Sequence, residues 1–381
     1  MADTCNSLTP TSPPPQRIHS VSRTDTDLCM EERPSEPTLV RYADFWFSDG
    51  SVVLKAENTL FRVHMSQLSR HSSFFHDLFS LPQPASTGSS HLDDQFLDGC
   101  PVIVLHDAAE DVTHLLKAIY DGPNFGSNDR DDFRVVSGVL RLASKYVIDK
   151  LRQRALAHLC IAWPSTLKAW DLREDIARSH EVENAAHRGH RYPSPIAVIN
   201  LAREVDAPEL LHSAFYDLSR YHYAHIFESN EDDPLDALAG LRTLSLDDMQ
   251  KLMLGKEASQ HMVTSLIQGM SMISERETQH LANRNCPPLQ HHRRRSAGQV
   301  CMSPSACRKD FSELVDLATQ HYLFDRERGC SDPLYVAEEL GQLKSAEFSE
   351  CKACAKALES WATRERERIW KLIPTWFRLE G

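Results

Sequence analysis

Residues 61–79 read FRVHMSQLSRHSSFFHDLF, and this stretch decides the fold. Phe61 and Val63 alternate with Arg62 and His64, the period of a strand with one buried face. From Met65 the spacing changes. Met65, Leu68, Phe75, Leu78 and Phe79 fall at intervals that line one side of helical segments. Ser69 and Ser72 are placed to cap or break the helical path between them. The stretch is a strand running directly into amphipathic helices.

Upstream, DFWF (44–47) and VVL (52–54) flank Ser48-Asp49-Gly50-Ser51. Asp-Gly between apolar runs predicts a hairpin. A second turn, within LKAENTLFRV, leads back into the 61–64 strand. Downstream of a helix predicted over 73–80, residues 81–99 are polar and rich in turn formers, as in a surface loop. PVIVLHD (101–107) reads as a short buried strand. From Ala109, Val112, Leu115, Leu116 and Ile119 follow a helical period that stops at Asp121-Gly122-Pro123. A further helical stretch begins near Asp132. Phe133, Val136, Leu140, Ala143, Val147 and Leu151 line one face, and Leu156 and Leu159 extend it to Trp163-Pro164.

Three blocks, in this order, resemble the BTB/POZ fold: FRVHMSQLSRHSSFFHDLF; VIVLHDAAEDVTHLLKAIYDG (102–122), ending in Tyr120 and a turn; and VVSGVLRLASKYVIDKLRQRALAHL (135–159), with its A-x-K-Y segment Ala143-Ser144-Lys145-Tyr146. The residues that carry the resemblance are Asp49, Phe61, His64, Leu68, Ser72, Phe75, Tyr120 and Tyr146. DGSVVLKAENTLFRVH (49–64), SRHSSFFHDLFSLPQP (69–84) and LAREVDAPELLHSAFYDLSRY (201–221) also resemble BTB proteins of basidiomycete fungi. The resemblance implies an α+β BTB/POZ domain over 41–163, a small mixed sheet covered by helices, followed by an all-helical region. It implies a protein–protein interaction module acting as scaffold or adaptor. Two more specific forms are a substrate adaptor for a cullin-type ubiquitin ligase and a transcription regulator without its own DNA-binding domain. In many family members a basic residue follows the strand-end histidine and joins a buried Asp. Here Met65 holds that position and the acid is either Asp44 or Asp49, so a charged corepressor pocket is not implied. Residues 1–40, with Pro13, Pro14, Pro15, Pro34 and Pro37, read as a disordered tail and supply no helix for a swapped dimer. Other self-association stays open.

Beyond the domain, 164–283 reads as a helical BACK-like region. Pro195 opens one helix there. Asp206, with Pro208 after it, can cap another. Ser245 and Asp248 form an imperfect capping box, and a long helical run covers 256–283. Residues 284–306 form a flexible Arg/Pro/Cys loop, and helices resume over 307–381.

The 381-residue chain carries a formal charge of −12, which argues against a general nucleic-acid surface. No run of about 18 apolar residues suggests a membrane helix, and the first residues lack the pattern of a secretory signal. A cytoplasmic or nuclear chain keeps its cysteines reduced, so their spacing is read for metal before disulfides. Cys351 and Cys354 form a C-x-x-C on a helix, with Cys301 and Cys307 upstream. Four thiolates can hold Zn²⁺ tetrahedrally and staple the 284–306 loop to the last helix, if the intervening helices fold back. Cys286, His291 and His292 compete as ligands, and the alternative is that Cys351 and Cys354 are small core residues beside Ala355 and Leu358.

No catalytic residue is expected. G-x-S-x-G, phosphate-loop, dinucleotide and H-E-x-x-H motifs are absent, and the carboxylates are scattered. Zinc is the one cofactor implied, with no direct DNA binding. His64 reads as a structural hydrogen-bonding residue. Phe96-Leu97-Asp98 is a hydrophobic-x-acidic triplet of the kind that would serve a cullin partner. Arg293-Arg294-Arg295 reads as a solvated loop, able also to take an importin, phosphate or nucleic acid. Arg364–Arg368 (RERER) reads as a solvated, salt-bridged face. Trp361, Trp370, Trp376 and Phe377 read as core packing of the C-terminal helices, with a partner-facing groove as the alternative.

Overall fold

The computed structural model describes residues 38–81, 96–183, 191–223, 243–282, 301, 303–323, 331–342 and 351–380. The expected tail (to residue 37), most of the expected 81–99 loop, Cys286, His291, His292 and Arg293–Arg295 lie outside these residues.

The chain opens with a five-stranded sheet of β1 (Val40–Trp46), β2 (Val52–Ala56), β3 (Thr59–Val63), β4 (Phe96–Leu97) and β5 (Cys100–Leu105), in the order β1-β3-β2-β5-β4. β1 runs parallel to β3, β3 antiparallel to β2, β2 parallel to β5, and β5 antiparallel to β4. The expected hairpin at Ser48–Ser51 is therefore not one, because β3 lies between the strands it joins. Gly50 is needed for a close approach. A Cβ there would fall 2.8 Å from Arg62 Cγ, and Arg62 Nε donates to the Gly50 carbonyl at 3.1 Å. Within β1–β3 the hairpin is β2–β3, closed by Glu57 at φ 49°. Its carboxylate accepts from the Ala109 amide at 3.1 Å and so serves the helix that starts there.

Alternate residues of β2 and β3 feed two cores. Val52, Leu54, Ala56, Phe61 and Val63 face the helices, while Val53 and Leu60 face the other way. Against the helical side pack α1 (Met65–His71), α2 (Ser73–Ser80), α3 (Ala109–Tyr120), α4 (Arg130–Lys145) and α5 (Asp149–Ala162). Ser72 ends α1 and caps α2, accepting from the Phe75 amide at 3.0 Å. Leu68 and Phe75 are buried, with Met65, Leu78 and Phe79 packed on them, each full burial stabilising by about 1.5–3 kcal/mol.

The single helical face expected from Phe133 to Leu159 is two helices. α4 ends in a Schellman motif, with Ile148 N–H bonded to Ala143 C=O at 2.8 Å and Val147 at φ 51°. Val147 is 45% exposed and does not line the face. The same motif ends α7 (Pro195–Glu204). Ala207 N–H bonds to Ala202 C=O at 2.8 Å with Asp206 at φ 49°. Asp206 thus closes the preceding helix and is not the cap of the next, which begins as a 3₁₀ turn at Pro208–Leu210 and continues as α8 (Leu211–Ser219).

No strand follows β5 among the described residues. The helical body comprises α6 (Leu167–Glu183), α7, α8, α9 (Leu246–Ala282), α10 (Pro304–Ala318), α11 (Pro333–Gln342) and α12 (Lys352–Trp376). Ser245 caps α9, its hydroxyl accepting from the Asp248 amide at 3.0 Å and donating to the Asp248 carboxylate at 2.9 Å. α12 lies along α9 in two glycine notches. A Cβ on Gly255 would meet the Phe377 ring at 1.9 Å, and one on Gly269 would meet Trp361 at 3.3 Å. Trp361, Trp370 and Phe377 are buried, and Trp376 packs on the same core. The RERER segment is not only a solvated face. Arg366 reaches Glu338 at 3.4 Å and also pairs with Asp171, tying α12 to α11 and α6.

At the centre of this body Arg173 donates to the Ala162 carbonyl (2.8 Å), Glu174 (2.7 Å) and Asp217 (2.7 Å), under the rings of Trp163, Trp170 and Tyr192. Arg220 adds bonds to Glu174 and Asp217 and an ion pair with Asp332 at 3.3 Å. Burial acts to raise the Asp217 carboxyl, but the two guanidiniums outweigh it and hold the group below its ordinary 3.8. The two cores meet on α4 and α5. Val139, Leu142, Ala143 and Leu151 belong to the sheet's core; Val136, Leu140, Ala155, Leu156 and Leu159 belong to the helical one.

Candidate functional site

Six of the residues that carried the family resemblance form two networks, while Phe61 and Leu68 lie in the sheet's core. In the first, the Tyr120 hydroxyl accepts from the His64 backbone amide at 3.0 Å and lies 2.9 Å from His64 Nδ1. Donation of the phenol proton to Nδ1 leaves Nε2–H to face Asp49 at 3.2 Å. That bond, above all, lowers the Asp49 carboxyl, and burial raises the Tyr120 phenol. Asp49, not Asp44, is therefore the acid beside the strand-end histidine, and its side chain is exposed, unlike the buried Asp of a charged pocket. Met65 takes no part in a charged pocket; its amide donates to the Ser51 hydroxyl oxygen at 2.9 Å. In the second network Ser72 donates to the Tyr146 carbonyl, Phe75 stacks on the Tyr146 ring with centroids 4.9 Å apart, and the Tyr146 hydroxyl donates to Asp107. Lys145 pairs with the same carboxylate at 2.6 Å. Asp107 joins β5 to the end of α4, a role the strand-acid pattern of VIVLHD contained without revealing its partners.

The sheet is curled, and its two edges approach each other. Arg41 on β1 lies 3.2 Å from Asp98 in the β4–β5 turn and 4.5 Å over its own strand's Trp46. Trp46, Leu97 and Val102 cover Val53, Leu60 and Cys100 inside the curl. Asp98 and Gly99 both have positive φ, 47° and 76°, between the paired Leu97 and Cys100, the geometry of a two-residue primed turn. Within the Phe96-Leu97-Asp98 triplet, Leu97 is thus turned inward and Asp98 serves the turn and an ion pair. Phe96, 55% exposed at the sheet edge, is the member that faces outward, and Val104 on β5 is exposed to the same extent. Val104 was missed because a continuous apolar run such as PVIVL hides which face is covered.

A second constellation lies at the far end of the helical body. Cys301, Cys307, Cys351 and Cys354 come together with their sulfurs all within 4.8 Å of one another, as the sequence spacing anticipated. Cys301, Cys307 and Cys354 are buried and Cys351 is half-buried; all four are free thiols. Cys307 sits in the first turn of α10, Cys351 is the N-cap of α12, and Cys354 lies in its first turn. Burial pushes the Cys307 thiol up to about 12 and raises Cys354 as well. At Cys351 burial also acts upward, but the Cys354 amide and the neighbouring thiols outweigh it, and the net shift is down.

Residues 47–161 match the family profile of the BTB/POZ domain. The chain carries that domain, with its curled sheet and helices, and a helical region after it; domains of this family are protein-interaction modules. No curated protein matches the chain, so the likeness to basidiomycete proteins stands on the quoted segments alone. No helix among the described residues is long and apolar enough to cross a membrane.

Proposed function

We propose that the chain is a non-enzymatic adaptor whose BTB/POZ domain holds one protein partner while the helical body holds another. The observation that supports this is the shared pair of helices α4 and α5, which face both cores at once. A partner on the sheet edge and a partner on the helical body are then held in a set geometry, because each side buries apolar residues of the same two helices. Phe96, exposed on the β4–β5 hairpin, is the side chain best placed to enter a partner's pocket.

Affinity purification of the full chain with quantitative mass spectrometry tests the reading. A defined set of proteins is expected with the wild type, one subset of it reduced at least about tenfold by Phe96→Ala and another unaffected. If nothing is enriched above a tag-only control, or Phe96→Ala changes nothing, the reading fails. The ubiquitin-ligase form of the proposal draws on the acidic Asp98 two residues after Phe96. It requires a cullin in the Phe96-dependent subset.

A further inference from the structure

We infer that Cys301, Cys307, Cys351 and Cys354 form a structural Zn²⁺ site that anchors the start of the C-terminal helix. A Zn–S bond of about 2.3 Å puts the sulfurs of a tetrahedral site about 3.8 Å apart. Here Cys301 and Cys307 are 3.6 Å apart and every pair lies within 4.8 Å. The four come from two segments of the chain, 301–307 and 351–354, so the meeting of the two pairs does not follow from local helix spacing, as the closeness of Cys351 and Cys354 alone would. Small apolar packing residues have no reason to gather four sulfurs around one point.

The surroundings suit an anionic tetrathiolate. Both helices direct their N-terminal ends at the cluster, where the peptide dipole favours negative charge. Neither has an acidic residue in its first turn. Lys352 opens α12, and Arg308 follows Cys307 in α10. Basic residues are disfavoured at helix N-termini on their own; beside a dianionic zinc tetrathiolate they neutralise it. Half-buried Cys351 leaves a path for the ion to enter. Zinc binding releases the thiol protons to solvent and requires no oxidant or reductant. Its mechanical effect is to fix α12 at its N-terminal end, as Phe377 against Gly255 fixes it at its C-terminal end.

The test is metal analysis of the full-length protein purified under reducing conditions. About one zinc per chain is expected, falling to near zero in Cys351→Ser and Cys354→Ser and unchanged in Cys160→Ser, whose thiol lies outside the cluster. Because a serine variant can fail to fold, cobalt substitution of the wild type provides a second readout. The intense visible d–d bands and sulfur-to-cobalt charge transfer of a tetrahedral thiolate site are expected. Stripping zinc with a chelator should lower the melting temperature by about 10 °C or more. Wild-type protein without zinc and without the cobalt spectrum, an iron–sulfur chromophore in its place, or a native Cys301–Cys307 disulfide would each overturn the assignment.

Discussion

Replacing His212 with phenylalanine should remove a pH dependence of stability. His212 on α8 stacks on Trp370, ring centroids 4.4 Å apart, and its Nε2 has no hydrogen-bond partner among the described residues. Burial pushes its pKa down to about 4, a backbone group of Trp370 offsetting part of the effect. The unfolded histidine titrates near 6.5. Between these values the unfolded chain takes up a proton that the folded chain does not. The stabilising contribution is therefore complete above pH 6.5 and lost as pH falls toward 4. The full linkage at pH 5 is about 2 kcal/mol; partial solvent access to the ring brings it to about 1 kcal/mol. Urea unfolding at pH 7.5 and 5.0 would measure it. Wild type should lose about 1 kcal/mol more than His212→Phe over that interval. Burial also lowers His114 and His158, but they are common to both proteins and cancel in the difference. Equal pH dependence in the two proteins would refute the reasoning.

Arg173→Met leaves Glu174, Asp217 and Asp332 facing Arg220 alone and should cost about 3–5 kcal/mol; adding Asp217→Asn should recover part of it. A double variant no more stable than Arg173→Met would show that charge imbalance is not the cause. Val147→Gly should stabilise the chain by up to about 1 kcal/mol and so raise the urea midpoint, since a β-branched residue at φ 51° gives way to one that adopts this conformation freely; a lower midpoint would show that the Val147 side chain is itself stabilising.

What could be read from the chain depended on range. Ser72 and Ser245 cap as expected because capping is settled within three residues. The 61–79 stretch has the predicted strand and helices because its periodicity is local. The β1 pairing was illegible because Asp49-Gly50 reports a turn but not which strand will lie beside it. The break at Val147 was hidden because a β-branched residue gives no signal for a left-handed helix end. The cysteine cluster was legible through spacing alone, whereas the Arg173 network joins carboxylates from α6, α8 and the start of α11, none distinguishable in sequence from those on exposed faces.

Helices α4 and α5 have apolar residues on both sides, which bears on where this gene can be cut. A fragment ending near residue 161, where the family profile stops, would leave Val136, Leu140, Leu156 and Leu159 without the residues that cover them. Such a fragment would attract chaperones and copies of itself, and partners recovered with it would report an unnatural surface. For the same reason, recombination that moved the sheet and its helices onto another protein would have to bring a replacement cover, so the folding unit of this chain is larger than its recognisable module.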